Sequence, residues 1–421
     1  MKPALFLFGL LSFFALVPAF WVLGQNAPVK GWKAGVGRVV ITPEQGMWMA
    51  GYAGRTKPAE GKLHELWAKT TVLEDENGQR AALLSFDLSG MPKSMSDRIR
   101  QRLHEKYALS KSQILLNFSH THSGPVLRDY LYHIYKLDDA EIKKIEAYSD
   151  RLEDQVVAMV GKAIHDLEPV SLYAENGVSR LQVNRRNNVE ATLHLATSLN
   201  GPNDYAVPVI KAVDAEGQPK AILFGYACHP TVLGEYLWSG DYVGFAQIAL
   251  EKAFPGTTAM FFQGAGGDQN PLPRRSVALA EQYGNELAAA VERVLAEEMR
   301  PLSPQLSLSY TEVDLPLNDA PSKEALEKMI KETSGHFQSW AKMYYDKVSK
   351  GEQIRQHYPY PLQVWKIGDQ TLINLGGEVV VDYAIKLKNL YGNNIFVFGY
   401  SNDVMAYIHS TRILREGGYE W

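Results

Sequence analysis

Five short apolar segments of this chain each run straight into glycines or into side chains able to bind a metal. Gln113–Phe118 leads to His120 and His122, and Ala221–Tyr226 leads to His229. Thr258–Phe262 leads to the Gly264–Asn270 turn, Thr371–Leu375 to Glu378, and Ile395–Phe398 to Asn402 and Tyr407. Runs of this length, rich in β-branched and aromatic residues and closed by turn residues, read as buried strands. A chain that ends several buried strands in polar chemistry is tightly constrained. The strand ends must gather, and in open α/β sheets ligands bind at such ends. Further strands are expected at Arg38–Thr42, Trp67–Leu73, Ala81–Phe86, Val207–Val213, Leu306–Val313 and Leu362–Ile367. Asn77-Gly78, Glu216-Gly217 and Gly368-Asp369 carry the chemistry of hairpin turns. Helical spacing marks Ala140–Asp166, Asp241–Ala253, Ala278–Glu298 and Lys323–Val348. The pattern predicts an α/β fold, a mixed sheet or two packed sheets flanked by helices, with its site at one rim of the sheet.

Length and composition narrow the classes. The chain has 421 residues, 46% hydrophobic and 21% charged, with no linker, repeat or low-complexity tract, so one catalytic domain over residues 26–421 is expected. A net charge of −4 argues against nucleic acid as a partner. Cys228 is the single cysteine, so no intramolecular disulfide can form, and stability must come from the core and from any bound metal. After Met1-Lys2 the stretch Pro3–Leu23 is almost purely apolar. Residues 1–25 therefore read as a signal peptide or an N-terminal membrane anchor, and the body as exported, secreted or periplasmic.

Each constellation admits a chemical and a plain reading. In Asn117–Pro125 (NFSHTHSGP), His120 and His122 would project from the same face of an extended stretch, as a ligand beside an acid/base imidazole or as a turn-capping pair. His229 is followed by Pro230, which stiffens the chain; the ring is a ligand or a hydrogen-bonded core histidine. Cys228, adjacent on the strand, should face the core. Glu378, after Gly376-Gly377, is a ligand or a carboxylate at a helix start. The glycine-rich Gly264–Pro271 lacks a phosphate-loop pattern. It could offer backbone N–H groups to an oxyanion, with Asp268 orienting a histidine, or be a tight turn. Arg185, in Asn184–Asn187 (NRRN), fixes a carbonyl or lies in a solvated turn.

Taken together and in order, these motifs resemble the neutral/alkaline non-lysosomal ceramidases. The resemblance runs from about Gly35 through GVGRVVITP, Gly51–Ala53, His120–Pro125 (HTHSGP), CHPT with Ser239–Ala246, Gly376–Glu378, Asn402 with Tyr407, and Gly418–Glu420. It implies one Zn²⁺ held by His120, His229, Glu378 and Tyr407. It implies that His122 and Arg185 bind and polarise an amide carbonyl, and that Tyr419 lines the site. The activity implied is zinc-dependent hydrolysis of the amide of ceramide or a related N-acyl lipid, with a possible membrane-surface contact. The alternatives are a zinc hydrolase of another amide or ester, and a binding protein on the same fold. Asn270 stands where the family has a serine, so a serine nucleophile there is excluded; Val404 replaces a family tyrosine. A C-terminal immunoglobulin-like domain of the family has no expected counterpart.

Overall fold

The structure is a computed structural model, and it describes residues 31–420. The expected leader, residues 1–25, lies outside the described residues. The main sheet runs in the order Thr258–Gln263, Pro219–Tyr226, Ala206–Val213, Glu168–Val178, Trp32–Val40, Trp67–Glu74, Arg80–Phe86, Ile114–Phe118. Its two outermost pairings are parallel and its interior is antiparallel. The middle of this sheet is a narrow joint. Only Trp32–Ala34 pairs with Glu168–Val170, and beyond that joint the two halves fold over one another. Lys69, Ser85 and Asn117, on three successive strands of one half, bond in turn to the backbones of Ala259, Phe261 and Gln263 on the edge strand of the other. That strand therefore runs across the three, as in sheets packed at a steep angle.

Side-chain alternation decides what each face meets. Leu83 and Leu115 face an inner core with Leu223, Met260 and Phe262 of the other half. Leu84 and Leu116 face the opposite way, onto helices Lys93–Tyr107 and Asp139–His165. Phe224 and Phe261 likewise face outward, onto helices Asp241–Ala253 and Val277–Ala296. A second sheet, Leu306–Pro316, His357–Ile367, Gln370–Leu375 and Phe396–Phe398, adds Trp365, Leu372 and Phe398 to the inner core. Its other face is covered by helix Val381–Tyr391 through Ala384 and Leu387.

The expected α/β class, mixed sheets flanked by helices, is what the chain forms, and the three hairpin turns each join an antiparallel pair. Three details differ. The first strand is Trp32–Val40 rather than Arg38–Thr42, because Gly35 and Gly37 belong to it. A Cβ at Gly35 would stand 1.9 Å from the Ala163 carbonyl oxygen, so only glycine lets the long helix lie this close. Glu168–Val178, a strand containing a proline and a glycine, carries no clean pattern in the sequence. The predicted helix Lys323–Val348 is a pair, Lys323–Glu332 and Gly335–Ser349, broken where Gly335 takes φ +63°.

Candidate metal centre and cleft

Three strand ends from three sheet segments meet at one point, and Asn117 ties them. Its side chain accepts from Gln263 N–H (2.7 Å) and donates to the Gly399 carbonyl (2.9 Å) and to Ser401 Oγ (3.1 Å). The chains leaving Phe118, Gln263 and Phe398 are thus locked together before any functional side chain appears. The rim predicted from sequence is composite, made by several sheet segments rather than by neighbours in one.

His120 takes φ +66°, so the His-x-His stretch is a left-handed turn and not an extended strand. The turn, rather than strand alternation, aims both rings inward. Their Nε2 atoms lie 3.1 Å apart. His120 Nδ1 bonds the Ser89 carbonyl, and His229 Nδ1 bonds the Gly266 carbonyl at 2.7 Å. A nitrogen facing a carbonyl must carry the proton, which leaves each Nε2 a bare lone pair. Both bare atoms face Glu378 Oε2, at 3.2 Å from His120 and 3.3 Å from His229. One ligand atom each from His120, His122 and His229 lies within 4.8 Å of the others. Tyr407 is placed by a short parallel pair in which Glu378 is its register partner, and its ring stacks on that of His229. Cys228 is buried in the core beneath the site, as expected.

The electrostatics agree. Burial, then Arg185, pushes His229 down to about 4, and burial with the two neighbouring imidazoles pushes His122 well below its usual value. Burial, then Glu378, raises the Tyr407 phenol. Lone pairs and an anionic oxygen crowded into one dry space repel one another unless a cation lies among them. Nitrogen and oxygen donors of this type suit Zn²⁺, so the residues fit that ion.

Above the cage opens a cleft of about 700 Å³, with His122, Arg185, Tyr407 and Tyr419 in its wall. Another hollow, of about 550 Å³, lies beside Ile41 and Tyr148 and touches none of these residues. Arg185 spends its whole fork locally: Nε donates to Glu420 (2.7 Å), Nη1 to Asn270 (3.3 Å) and Nη2 to the Tyr407 hydroxyl (3.1 Å). Burial works against its charge, but Tyr407 and Glu420 hold its pKa above the ordinary arginine value. Tyr419, 77% exposed, lies edge-on to Tyr407 and under the Arg185 guanidinium.

The glycine-rich turn departs from expectation. Its glycine N–H groups are consumed internally, Gly264 donating to Tyr226, Gly266 to Gly264 and Gly267 to Val379, and Gln269 donates to Gly266, so none of these four is left for an oxyanion. Asp268 accepts from Asn184, Gln269 and the Val381 N–H rather than from a histidine. The orienting group is the Gly266 carbonyl. Sequence reasoning also passed over Ser89, whose carbonyl fixes His120, and the buried carboxylate of Glu420, which clamps both Arg185 and Arg186. Tyr400 was missed too; it is fully buried, packs against His120, and its hydroxyl has no hydrogen-bond partner. Asn402 proves structural, accepting from Arg100 and from the Leu116 N–H.

A family model for the N-terminal region of neutral/alkaline non-lysosomal ceramidases matches residues 32–275. The chain belongs to this family. The match includes His120, His122, Arg185 and His229; Glu378, Tyr407 and Tyr419 lie beyond it. Neutral ceramidase 1 of Arabidopsis thaliana is 24% identical over 286 residues, 65% of this chain and 36% of that protein. The neutral ceramidase of Drosophila melanogaster is 24% identical over 306 residues, 70% of this chain and 40% of that protein. The matches thus span well under half the length of these relatives. The solved neutral ceramidase of Pseudomonas aeruginosa has the same fold, with a TM-score of 0.72 at 19% identity, covering 94% of this chain and 71% of that one. A ceramidase solved in complex with C2 gives 0.73 at 19% identity, covering 93% and 71%. Among the described residues no helix is long and apolar enough to cross a membrane.

Proposed function

We propose that this ceramidase-family chain is a zinc-dependent hydrolase that cleaves the amide bond of ceramide or a related N-acyl lipid. One observation carries the reading: two imidazoles whose Nδ1 protons are pinned to backbone carbonyls turn bare Nε2 atoms onto one carboxylate oxygen. His120, His229, Glu378 and Tyr407 would hold one Zn²⁺. The ion supplies Lewis acidity, making water nucleophilic near neutral pH and polarising a carbonyl.

The chain's own groups do the rest. His122 turns its Nε2 into the cage, 3.1 Å from His120 Nε2, and with its proton on that atom it is a donor beside the ion. In that position it hydrogen-bonds the amide oxygen as negative charge develops there. Arg185 adds fixed positive charge from the cleft wall, held in orientation by Glu420. Tyr407 and Tyr419 frame the carbonyl's approach. Asn270 orients Arg185 and takes no covalent part. The products are an amine and a carboxylic acid. Residues 1–25 serve as a signal peptide or anchor, residues 26–421 form the catalytic domain, and the enzyme works outside the cytoplasm on a lipid amide presented from a membrane surface.

The test is zinc content and ceramide hydrolysis measured on the same purified protein, beside His229→Ala. One zinc per chain with turnover, both lost in the variant, is the expected result. Stoichiometric zinc retained by the variant would overturn the ligand set, and zinc without ceramide turnover would overturn the substrate.

A further inference from the structure

Past Tyr52, on the side away from the cage, the cleft continues into a shelf of about 420 Å³ whose walls include Arg55, Arg275, Glu235 and Tyr236. Its two arginines are unlike those of the cleft proper. Arg185 is ion-paired with Glu420, Arg186 with Glu420 and Glu416, and Arg274 with Glu190. Arg55 and Arg275 form no ion pair among the described residues.

Arg55 is only 6% exposed. Its two terminal nitrogens donate to backbone carbonyls, of Glu235 (3.0 Å) and His122 (2.9 Å), and its Nε has no partner. A guanidinium taken out of water without a counter-ion is costly, and burial lowers its pKa accordingly. Arg275 lies opposite, exposed, with Nη1 3.1 Å from the Tyr52 hydroxyl and 3.4 Å from the Leu233 carbonyl. Its backbone holds φ +81°, a conformation non-glycine residues seldom keep without a purpose. The Tyr52 ring lies between the two cations, 5.4 Å from Arg55 and 5.1 Å from Arg275. Glu235 is the acid of the shelf, and its carboxylate accepts from the Gly234 N–H (2.9 Å) instead of pairing with either arginine. The shelf thus holds one solvent-facing planar fork, that of Arg275, whose geometry matches phosphate and carboxylate oxygens, beside the uncompensated charge of Arg55, whose terminal nitrogens each already serve a backbone carbonyl.

The shelf is close to the chemistry. Tyr52 meets the His122 ring edge-on at 4.6 Å, and Arg55 bonds the carbonyl of that same histidine. The cleft between shelf and cage contains no leucine, isoleucine, valine or phenylalanine in its lining, so it suits a polar headgroup rather than an acyl chain. We propose that Arg55 and Arg275 form a subsite for a phosphate-type anion on the headgroup of the amide substrate, so that the preferred substrate is an anionic N-acyl amide. The proposal rests on the hydrolase reading for its role in turnover, but not for the binding of the anion.

Two measurements separate these. First, inorganic phosphate is titrated calorimetrically into the metal-free protein, into Arg275→Gln and into Glu235→Gln. Saturable binding is expected, weakened roughly tenfold by Arg275→Gln, the loss of one charge-assisted contact, and strengthened by Glu235→Gln. Absent binding, or binding indifferent to both changes, overturns the subsite. Second, the zinc-loaded enzyme is given ceramide and its 1-phosphate ester. The expected result is a kcat/KM preference for the ester that collapses in Arg275→Gln through KM. An equal loss toward both substrates would show a merely structural arginine and overturn the substrate assignment. Turnover of neither, with phosphate still bound, would overturn the hydrolase reading and leave the anion site standing.

Discussion

The floor and the mouth of the cleft are built by opposite means. In the floor, the groups proposed to bind the ion are fixed by backbone. His120 and His229 are pinned by the carbonyls of Ser89 and Gly266, and Glu378 is set in register against Tyr407. In the mouth, side chains fix one another: Glu420 clamps Arg185 and Arg186, Arg185 reaches Tyr407 and Asn270, and Tyr419 stands largely in solvent. Backbone carbonyls cannot be mutated away, so the floor resists change while the mouth can be rebuilt one residue at a time. A common chemistry below a variable substrate entrance is the expected outcome.

Substitutions can break that contrast. His229→Ala should have the largest effect. Loss of a ligand should exceed the ~10–100-fold typical of groups that only orient one, and bound zinc and activity should disappear together in the same sample. Arg185→Ala comes next, with an expected loss of about 10²–10³ in kcat if its charge faces the developing oxyanion; zinc content should stay at one per chain. A simultaneous loss of metal would place Arg185 in the floor and erase the distinction. Glu420→Gln should cost roughly tenfold, by the loss of a charge-assisted bond, and chiefly in kcat, since it frees Arg185 without removing it. Asn270→Ala should fall within a few-fold of the parent, in keeping with one long hydrogen bond at 3.3 Å. A loss comparable to that of His229→Ala would show that Asn270 takes part in the chemistry.

The two regions also differed in how legible they were. The candidate ligands of the floor stood out because each follows an apolar run, and such runs announce strands; their grouping as one set came from the family resemblance. Even so, local pattern misjudged how the rings converge: His120 enters the left-handed region, which no spacing rule reveals. The composite rim was hidden as well, because the fold-over of the main sheet at Trp32–Ala34 depends on pairings more than a hundred residues apart. Tyr400 carries no motif of its own and Glu420 entered only as the end of Gly418–Glu420, and only the folded chain shows what they touch. The Gly264–Asn270 turn was visible as a feature, and of its two readings the structure favours the tight turn. Glycine content indicates that a backbone can approach closely, and here it approaches itself. The strand Glu168–Val178 escaped notice because Pro169 and Gly177 break its alternation near both ends.

Among the three histidines of the cage, only His122 has an Nδ1 without a hydrogen-bond partner. The glycine at position 51 backs this ring, where a Cβ would stand 2.3 Å from His122 Cγ, and Tyr52 closes its edge. On its Nδ1 side shape alone therefore retains it, while its neighbours are tethered there to carbonyls. A tethered imidazole must break a bond to change its proton inventory, and one wedged by contact need not. The three identical side chains thus differ in their mounting: two have Nδ1 anchored to a carbonyl, and the third has its Nδ1 side held only by contact.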